Sequence, residues 1–361
     1  MKKETPLLWP FVLVSITFVI LYWVVAAFVL IEDPYNIYSW SRPSRLQGED
    51  ITDDNRLLVA AVAKNPDIDL LMVGSSTAMS YFPDDIKRAF PESRNPYNLS
   101  YAGAQPFDRN LTLNTVLRYG KPKRVIIWFD YTYALPSKAE REEFPAYLYG
   151  TTPINDLRMV NQGAVRAAYY KARGQYIFPH YAVDLEKRER ARASQYKAFQ
   201  SKAGVASVRA AVSRYRGSVL RPGVKSCHQL PALTDQLLPQ LAEFSKRGWK
   251  VDVVIPAYSP AFYYMSGAMG SSFALNNQLM LRRCLIRGAG NMQNVQIVEL
   301  DDDSVLVNNF GNFRDPYHIF GRSALDRALS DLNAGAQRLT SGNVNSYLAS
   351  LSKRVVDYSP P

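Results

Sequence analysis

The fold of this chain is decided by residues 68–77, which read IDLLMVGSST. The apolar run that closes at Gly74 predicts a strand buried on both faces. The glycine allows a tight bend, and the hydroxyl side chains that follow it stand where an α/β sheet presents its reactive groups. We therefore expect a reactive serine directly after the first core strand.

Helical and strand-like patterns alternate around this stretch. Further β-rich runs occur at residues 125–129, 251–255 and 295–298. Helical patterns cover residues 54–64, 107–119, 233–247 and 275–286. Buried strands separated by helices predict an α/β fold with a doubly wound, mostly parallel sheet. We assign residues 51–335 to this domain.

Residues 136–231 interrupt the alternation with aromatic and basic side chains, and they predict a mainly helical insertion. From Arg190 to Thr234 the chain has no Asp or Glu. The insertion's cations are either a solvated helix face or a surface that contacts lipid headgroups or an anionic glycan. Residues 336–361 are expected to form a peripheral tail.

An uncharged apolar run extends from Leu7 to Ile31. It is long enough to cross about 30 Å of hydrocarbon as a helix, so a membrane anchor is favoured over a cleaved signal peptide. Lysines precede the run and acids follow it, which places residues 1–6 in the cytoplasm. The sequence predicts a single-pass protein of the cytoplasmic membrane, with residues 32–50 as a linker and a periplasmic or extracellular domain.

The net charge of +11 over 361 residues indicates an anionic partner, such as a lipid surface or an acidic polymer. No nucleic-acid-binding motif accompanies this charge, so we expect no nucleic-acid partner. Cys227 and Cys284 either pair or stay as separate buried thiols. His180, His228 and His318 lack partners at metal-ligand spacing, and we expect neither a metal nor a cofactor.

A second chemical motif is the D-P-Y-H sequence of residues 315–318. A carboxylate three residues before a histidine can turn back and hold the imidazole tautomer, and the histidine can then take a proton from a serine. These residues predict His318 as general base and Asp315 as its partner, acting on a serine of the turn after the first core strand.

Both motifs resemble those of the SGNH (GDSL-like) hydrolase superfamily, which has a flavodoxin-like fold. Its Gly-Asp-Ser nucleophile block corresponds to G-S-S at residues 74–76, with Ser75 at the Asp position, which implies that Ser76 is the nucleophile. Its D-x-x-H block corresponds to residues 315–318. The second block resembles residues 98–103, NLSYAG, which implies that the amides of Gly103 and Ser76 stabilise an oxyanion.

The third block of the superfamily normally supplies an asparagine, but here residues 128–131 read WFDY. An ionised Asp130 cannot donate a hydrogen bond. Either Asp130 is protonated, or Asn98 or Tyr131 replaces it as a donor, or hydrolysis is weak. Residues at these strand ends are expected to border the substrate, namely Gly74, Ser75, Asp130 and Tyr131.

The G-S-S form, the single anchor and the IPAYSP segment of residues 255–260 resemble one branch of the superfamily. This branch contains membrane-anchored proteins of cell-surface acylation, similar to the D-alanine transfer protein of teichoic acid and the alginate O-acetylation accessory proteins. The resemblance implies a multi-pass membrane-bound O-acyltransferase as partner and a polysaccharide or other envelope polymer as acceptor.

Three functions are consistent with these observations. The first is a serine-dependent O-acyltransferase that places an acetyl or similar group on the polymer through an acyl-enzyme at Ser76. The second is a membrane-anchored esterase with the same residues and water as acceptor. The third is a catalytically silent glycan-binding or scaffold protein, which the replaced third block favours.

Overall fold

A six-stranded sheet forms the centre of the protein, whose structure is a computed structural model. It describes residues 8–34, 56–134, 149, 157, 160–174, 185–219, 223–266 and 275–361. The strands are β1 Leu70–Val73, β2 Pro96–Asn98, β3 Arg124–Trp128, β4 Lys250–Ile255, β5 Val295–Glu299, β6 Phe313–Asp315, β7 His318–Ile319 and β8 Arg338–Leu339. The sheet order is β2-β1-β3-β4-β5-β8, and the pair β6-β7 forms a separate antiparallel hairpin.

The first five strands are parallel, and only β8 runs antiparallel, against β5. The helices that connect and follow them are α1 Leu8–Glu32, α2 Arg56–Ala63, α3 Pro83–Ala89, α4 Pro106–Tyr119, α5 Gln162–Ala172, α6 Leu185–Gln200, α7 Lys202–Tyr215, α8 Leu238–Lys246, α9 Ala261–Ser266, α10 Leu275–Ala289, α11 Ser304–Val307, α12 Arg322–Ala334 and α13 Val344–Val356. The predicted α/β class with a mostly parallel sheet is therefore confirmed.

Successive side chains along each strand face opposite sides of the sheet, and each side has its own hydrophobic core. Leu71 and Val73 of β1 face one core, which also contains residues of α2, α4, α8, α10 and α13. Leu70 and Met72 face the other, which contains residues of α3 and α12.

Because helices cover both faces, the strands are buried on both sides and are mostly apolar. Asp252 within β4 is a buried exception, and it accepts from Arg124 and Gln296. The sheet is doubly wound, as the sequence predicts.

The C-terminal segment 336–361 is not a peripheral tail, and the sequence-based expectation is wrong here. β8 pairs with β5 at the edge of the sheet. The α13 residues Tyr347, Leu348, Leu351 and Val355 are buried in the core. Their helical spacing produces an apolar stripe that belongs to the domain.

The insertion contributes helices and supports the rest of the domain. Its described residues form α5, α6, α7 and a short 3-10 turn. Some of the predicted outward-facing cations bind the C-terminal segment, since Arg209 donates to the carbonyl of Pro361 and Arg216 to that of Tyr358. These arginines hold the end of the chain and are not simply a solvated face.

The N-terminal helix α1 is long enough and apolar enough to cross a membrane. Most of its large side chains are exposed, whereas Ala26 and Val29 near its C-terminal end are buried. This end packs on α5, and the Lys171 Nζ donates to the carbonyl of Asp33 at 2.8 Å. The domain is thus attached directly to the last turns of α1, and the predicted linker residues 35–50 lie outside the described residues.

A disulfide resolves the alternatives for the two cysteines. Cys227 and Cys284 are bonded, with their Cα atoms 5.5 Å apart. Cys227 lies on the 3-10 turn at the end of the insertion, and Cys284 lies on α10. The bond therefore fastens the insertion to a helix of the core.

Candidate active site

The turn after β1 presents Ser76. Gly74 begins the turn, and a Cβ atom there would lie 2.7 Å from the Cβ of Trp128 and 2.8 Å from the Cβ of Ala78. Only glycine fits, because β3 and the turn itself approach its backbone too closely. Ser76 lies inside a turn that precedes α3.

Asn98, at the end of β2, holds this turn together. Its Nδ2 donates to the carbonyls of Ala78 and Tyr81 at 2.8 and 2.7 Å. Its Oδ1 accepts from the amide of Ser100 at 2.9 Å. Both amide hydrogens are committed to the turn, so the geometry gives Asn98 a structural task and not the predicted task of an oxyanion donor.

Asp315 and His318 lie on opposite strands of the β6-β7 hairpin. The helix α12 begins four residues after His318. The hairpin is held from both sides: Gln200 of α6 donates to the carbonyls of Phe310 and Phe313, and the amide of Ser259 donates to the carbonyl of Pro316. The insertion therefore supports the strand pair that carries the histidine.

Ser76, His318 and Asp315 form a continuous hydrogen-bonded relay. The Ser76 Oγ lies 2.9 Å from the His318 Nε2, and the His318 Nδ1 lies 2.6 Å from the Asp315 Oδ2. His318 is buried, and Ser76 is half-buried. The structure thus brings together the three residues predicted as catalytic, which are 242 positions apart at the longest link. This geometry can activate a serine for acyl transfer.

Electrostatics keep Asp315 ionised. Burial by itself would raise the pKa of this carboxyl, but the hydrogen bond from His318 and the charges of His318 and Arg314 outweigh burial and lower the pKa. The amides of Tyr317 and His318 also donate to its Oδ1, at 3.1 and 2.9 Å. A carboxylate at this position orients the imidazole so that Nδ1 donates to Asp315 and Nε2 faces the Ser76 hydroxyl.

Asp130 is a buried ion-pair partner and does not border the substrate. It is 0% exposed, and its oxygens lie 3.3 Å from both terminal nitrogens of the buried Arg109. Ser75, which is also buried, donates to it, as does Thr132. Gly74, Ser75 and Asp130 are all buried, so the structure does not expose them to a substrate as the sequence predicted: Gly74 begins the serine turn, and Ser75 bonds to Asp130.

Hydrogen-bond donors surround the carboxylate of Asp130. Burial would lower the pKa of Arg109, but the neighbouring Asp130 and Tyr133 raise it, so the guanidinium stays charged. The oxygens of Asp130 accept from Arg109, Ser75 and Thr132. Asp130 is therefore held in the core by these donors.

Four aromatic side chains form a wall beside the histidine, which we call the aromatic wall: Tyr131, Tyr258, Phe262 and Tyr317. The rings of Tyr317 and His318 are 4.3 Å apart, and those of Tyr131 and Tyr317 are 5.6 Å apart. The Tyr131 amide donates to the Tyr258 hydroxyl at 2.9 Å. Tyr258 and Phe262 are buried, and Tyr131 and Tyr317 are half-buried. Burial raises the pKa of Tyr131 and Tyr317, so their hydroxyls stay uncharged.

Gly103 lies on the loop after β2, with a φ of 70°. This conformation favours glycine, and the loop is exposed. Because β2 pairs with β1 in parallel, the loop and the Ser76 turn leave the same edge of the sheet. The structure places Gly103 at the same edge of the sheet as Ser76, and its role as an oxyanion donor stays a prediction.

The sequence analysis missed Arg109 and most of the aromatic wall. Arg109 lies on α4, where nothing in the local pattern distinguishes a buried cation from an exposed one. Tyr258 lies in the IPAYSP segment after β4. The sequence marked this segment as unusual but assigned no role to Tyr258. Among the described residues, no three His, Cys, Asp or Glu side chains are close enough together to hold a metal ion.

Comparison with known proteins adds no family assignment. No protein-family profile and no curated protein sequence matches this chain.

Proposed function

We propose that this protein is a membrane-anchored serine acyltransferase of the SGNH type that acts outside the cytoplasm. The observation that carries the proposal is the relay from Ser76 through His318 to Asp315 at the carboxyl edge of a doubly wound sheet. The strand order β2-β1-β3-β4-β5, with the nucleophile after β1 and the D-x-x-H block after β5, supports the SGNH assignment.

The reaction proceeds in two steps at Ser76. In the first step, the Ser76 Oγ attacks the carbonyl carbon of the acyl donor while the His318 Nε2 takes the serine proton. The imidazolium then gives this proton to the leaving group of the donor, and the acyl group stays on Ser76. In the second, a sugar hydroxyl attacks the acyl-enzyme, His318 takes its proton, and the ester passes to the sugar while Ser76 regains a proton. The amides of Ser76 and Gly103 are proposed to stabilise both tetrahedral oxyanions.

The apolar helix and the disulfide support the proposed location. Lys2 and Lys3 before the apolar run of residues 7–31, and the acids directly after this run, favour a cytoplasmic N-terminus. Disulfides persist mainly in oxidising compartments, so the Cys227–Cys284 bond favours a domain outside the cytoplasm. We propose a multi-pass O-acyltransferase as the source of acyl groups and an envelope polysaccharide as their acceptor.

Labelling with a fluorophosphonate probe tests the activated serine. The full chain in detergent is compared with Ser76→Ala, His318→Ala and the control Ser350→Ala, which removes an exposed hydroxyl on α13. We expect labelling of the native chain and the control, no labelling of Ser76→Ala, and a loss on the order of 10⁶-fold in His318→Ala. A folded native protein without labelling contradicts the proposal and favours a silent glycan-binding or scaffold protein.

A second experiment separates transfer from hydrolysis. The native protein, once shown to react with the fluorophosphonate probe, is given p-nitrophenyl acetate with and without an oligosaccharide. The sugar is then analysed by mass spectrometry. Acetylated sugar that requires Ser76 supports a transferase, whereas acetate alone supports the esterase that uses the same relay with water. A reporter that is active only outside the cytoplasm, fused after residue 50, tests the orientation, and a silent reporter contradicts it.

A further inference from the structure

A basic pocket lies between the end of the insertion and α10. It encloses about 340 Å³ and is lined by Lys225, Ser226, Cys227, His228, Met280, Arg283 and Arg287. The four basic side chains are exposed, and among the described residues no acid lines the pocket. Arg283 and Arg287 are one helical turn apart, so they project from the same side of α10.

The pocket is preorganised by several fixed points. The Cys227–Cys284 disulfide holds one wall to the other. The Asn277 Oδ1 accepts from the amide of Val224 at 2.5 Å, and the Gln229 Oε1 accepts from the amide of Lys225 at 2.7 Å. Because the backbone under Lys225 and His228 is fixed, the cations are gathered before any ligand arrives, which lowers the entropy cost of binding.

The side chains that line the pocket favour an organic ligand that carries an anionic group. Three cations and an imidazole can donate to a carboxylate or phosphate, and the arginines can do so in a bidentate manner. Met280 and the disulfide supply an apolar floor that a bare inorganic ion would not use. The volume lies within the range of roughly 300–1,000 Å³ that is usual for small-ligand sites.

We propose that this basic pocket binds one acidic unit, a sugar that carries a carboxylate or a phosphate, of an anionic polymer. The membrane-side contact of the domain is made by α5 against α1, whereas the pocket is built on α10, which packs on α8 and α13. This arrangement favours a polymer over a lipid headgroup. The pocket shares no residue with the Ser76 relay, so the proposal does not depend on the proposed catalytic function.

Binding to defined polyanions tests the pocket. The full chain in phosphatidylcholine nanodiscs is titrated with polygalacturonate, polyphosphate, uncharged dextran and inorganic phosphate. We expect a polyanion to bind the native protein and to bind Arg283→Gln/Arg287→Gln about tenfold more weakly. The control Lys121→Gln/Lys123→Gln removes the same charge from two exposed positions before β3 and should retain native affinity. Unchanged melting temperatures establish that both variants are folded.

Several outcomes would overturn the proposal. They are the absence of polyanion binding, equal weakening in both double variants, and binding of inorganic phosphate alone. The titration is repeated in nanodiscs that contain phosphatidylglycerol. If anionic headgroups abolish polymer binding and the difference between the variants, the pocket is a lipid site and the proposal fails. Loss of Ser76 labelling leaves this measurement unaffected, so the two proposals fail independently.

Discussion

Asp315 divides its two oxygens between the histidine and the backbone. One oxygen accepts from the His318 ring, and the other accepts from the amides of Tyr317 and His318. The same side chain therefore shapes the turn of the hairpin and orients the imidazole. This dual role explains why the carboxylate lies only three residues before the histidine: the turn brings both groups into contact without help from a distant element.

Replacement Asp315→Asn should leave the turn intact and stop proton transfer. The remaining amide oxygen satisfies the two backbone N–H groups, so the new NH₂ faces the His318 Nδ1 and forces the ring proton onto Nε2. We expect the rate of serine labelling to fall about 10⁴-fold. The exposed Asp326→Asn on α12 is the matched control, and labelling at the native rate in Asp315→Asn contradicts the assigned role.

The lowered pKa of Asp315 also predicts a pH-dependent stability. Because its pKa is lower in the folded protein than the ordinary value of 3.8, the ionised carboxylate stabilises the fold above that pH, and this contribution is lost as the pH falls through the folded pKa. The melting temperature of Asp315→Asn should lie below the native one near neutral pH, and the gap should close below about pH 3.8. A gap that widens in acid contradicts this prediction.

At the scale of elements, the Arg109–Asp130 pair joins α4 to the end of β3. Both side chains are almost completely buried. Arg109 also donates to the carbonyl of Trp128 at 3.0 Å and lies over the ring of Tyr133. Ser75 connects the same pair to the turn of Ser76, so the position of the nucleophile depends on a charge pair that does not touch the relay.

Removing one member of this pair should be much worse than removing both. Arg109→Met leaves Asp130 buried without its cation, and we expect a loss of about 3–5 kcal/mol in the free energy of unfolding. The double variant Arg109→Met/Asp130→Leu should regain part of this loss, because no unpaired charge stays buried. Chemical denaturation of the full chain in detergent measures both, and additive losses contradict the assigned coupling.

At the scale of the whole molecule, the C-terminal helix completes the core. Leu351 of α13 is fully buried, whereas Ser350 beside it is exposed. We expect Leu351→Ala to lower the free energy of unfolding by about 2–5 kcal/mol, since it leaves a cavity. Ser350→Ala should change it by less than about 0.5 kcal/mol. Equal stability of the two variants would restore the interpretation of residues 336–361 as a tail.

The sequence predicted what depends on local pattern. The apolar runs at β1, β3, β4 and β5 were recognisable because strands buried on both faces contain almost no polar residues. The helix pattern at residues 275–286 likewise predicted most of α10. The shorter strands β2 and β8, with three and two residues, were missed because such segments have no measurable periodicity.

The sequence by itself determined the sheet class, the apolar N-terminal helix and the identity of the candidate relay, because each is written in neighbouring residues. Tertiary structure alone decided which residues from distant parts of the chain are in contact. It bonded Cys227 to Cys284, buried Asp130 against Arg109, and turned Asn98 toward the backbone of the serine turn. These are contacts between distant segments, and burial and charge pairing become defined only after the sheet has brought its strand ends together.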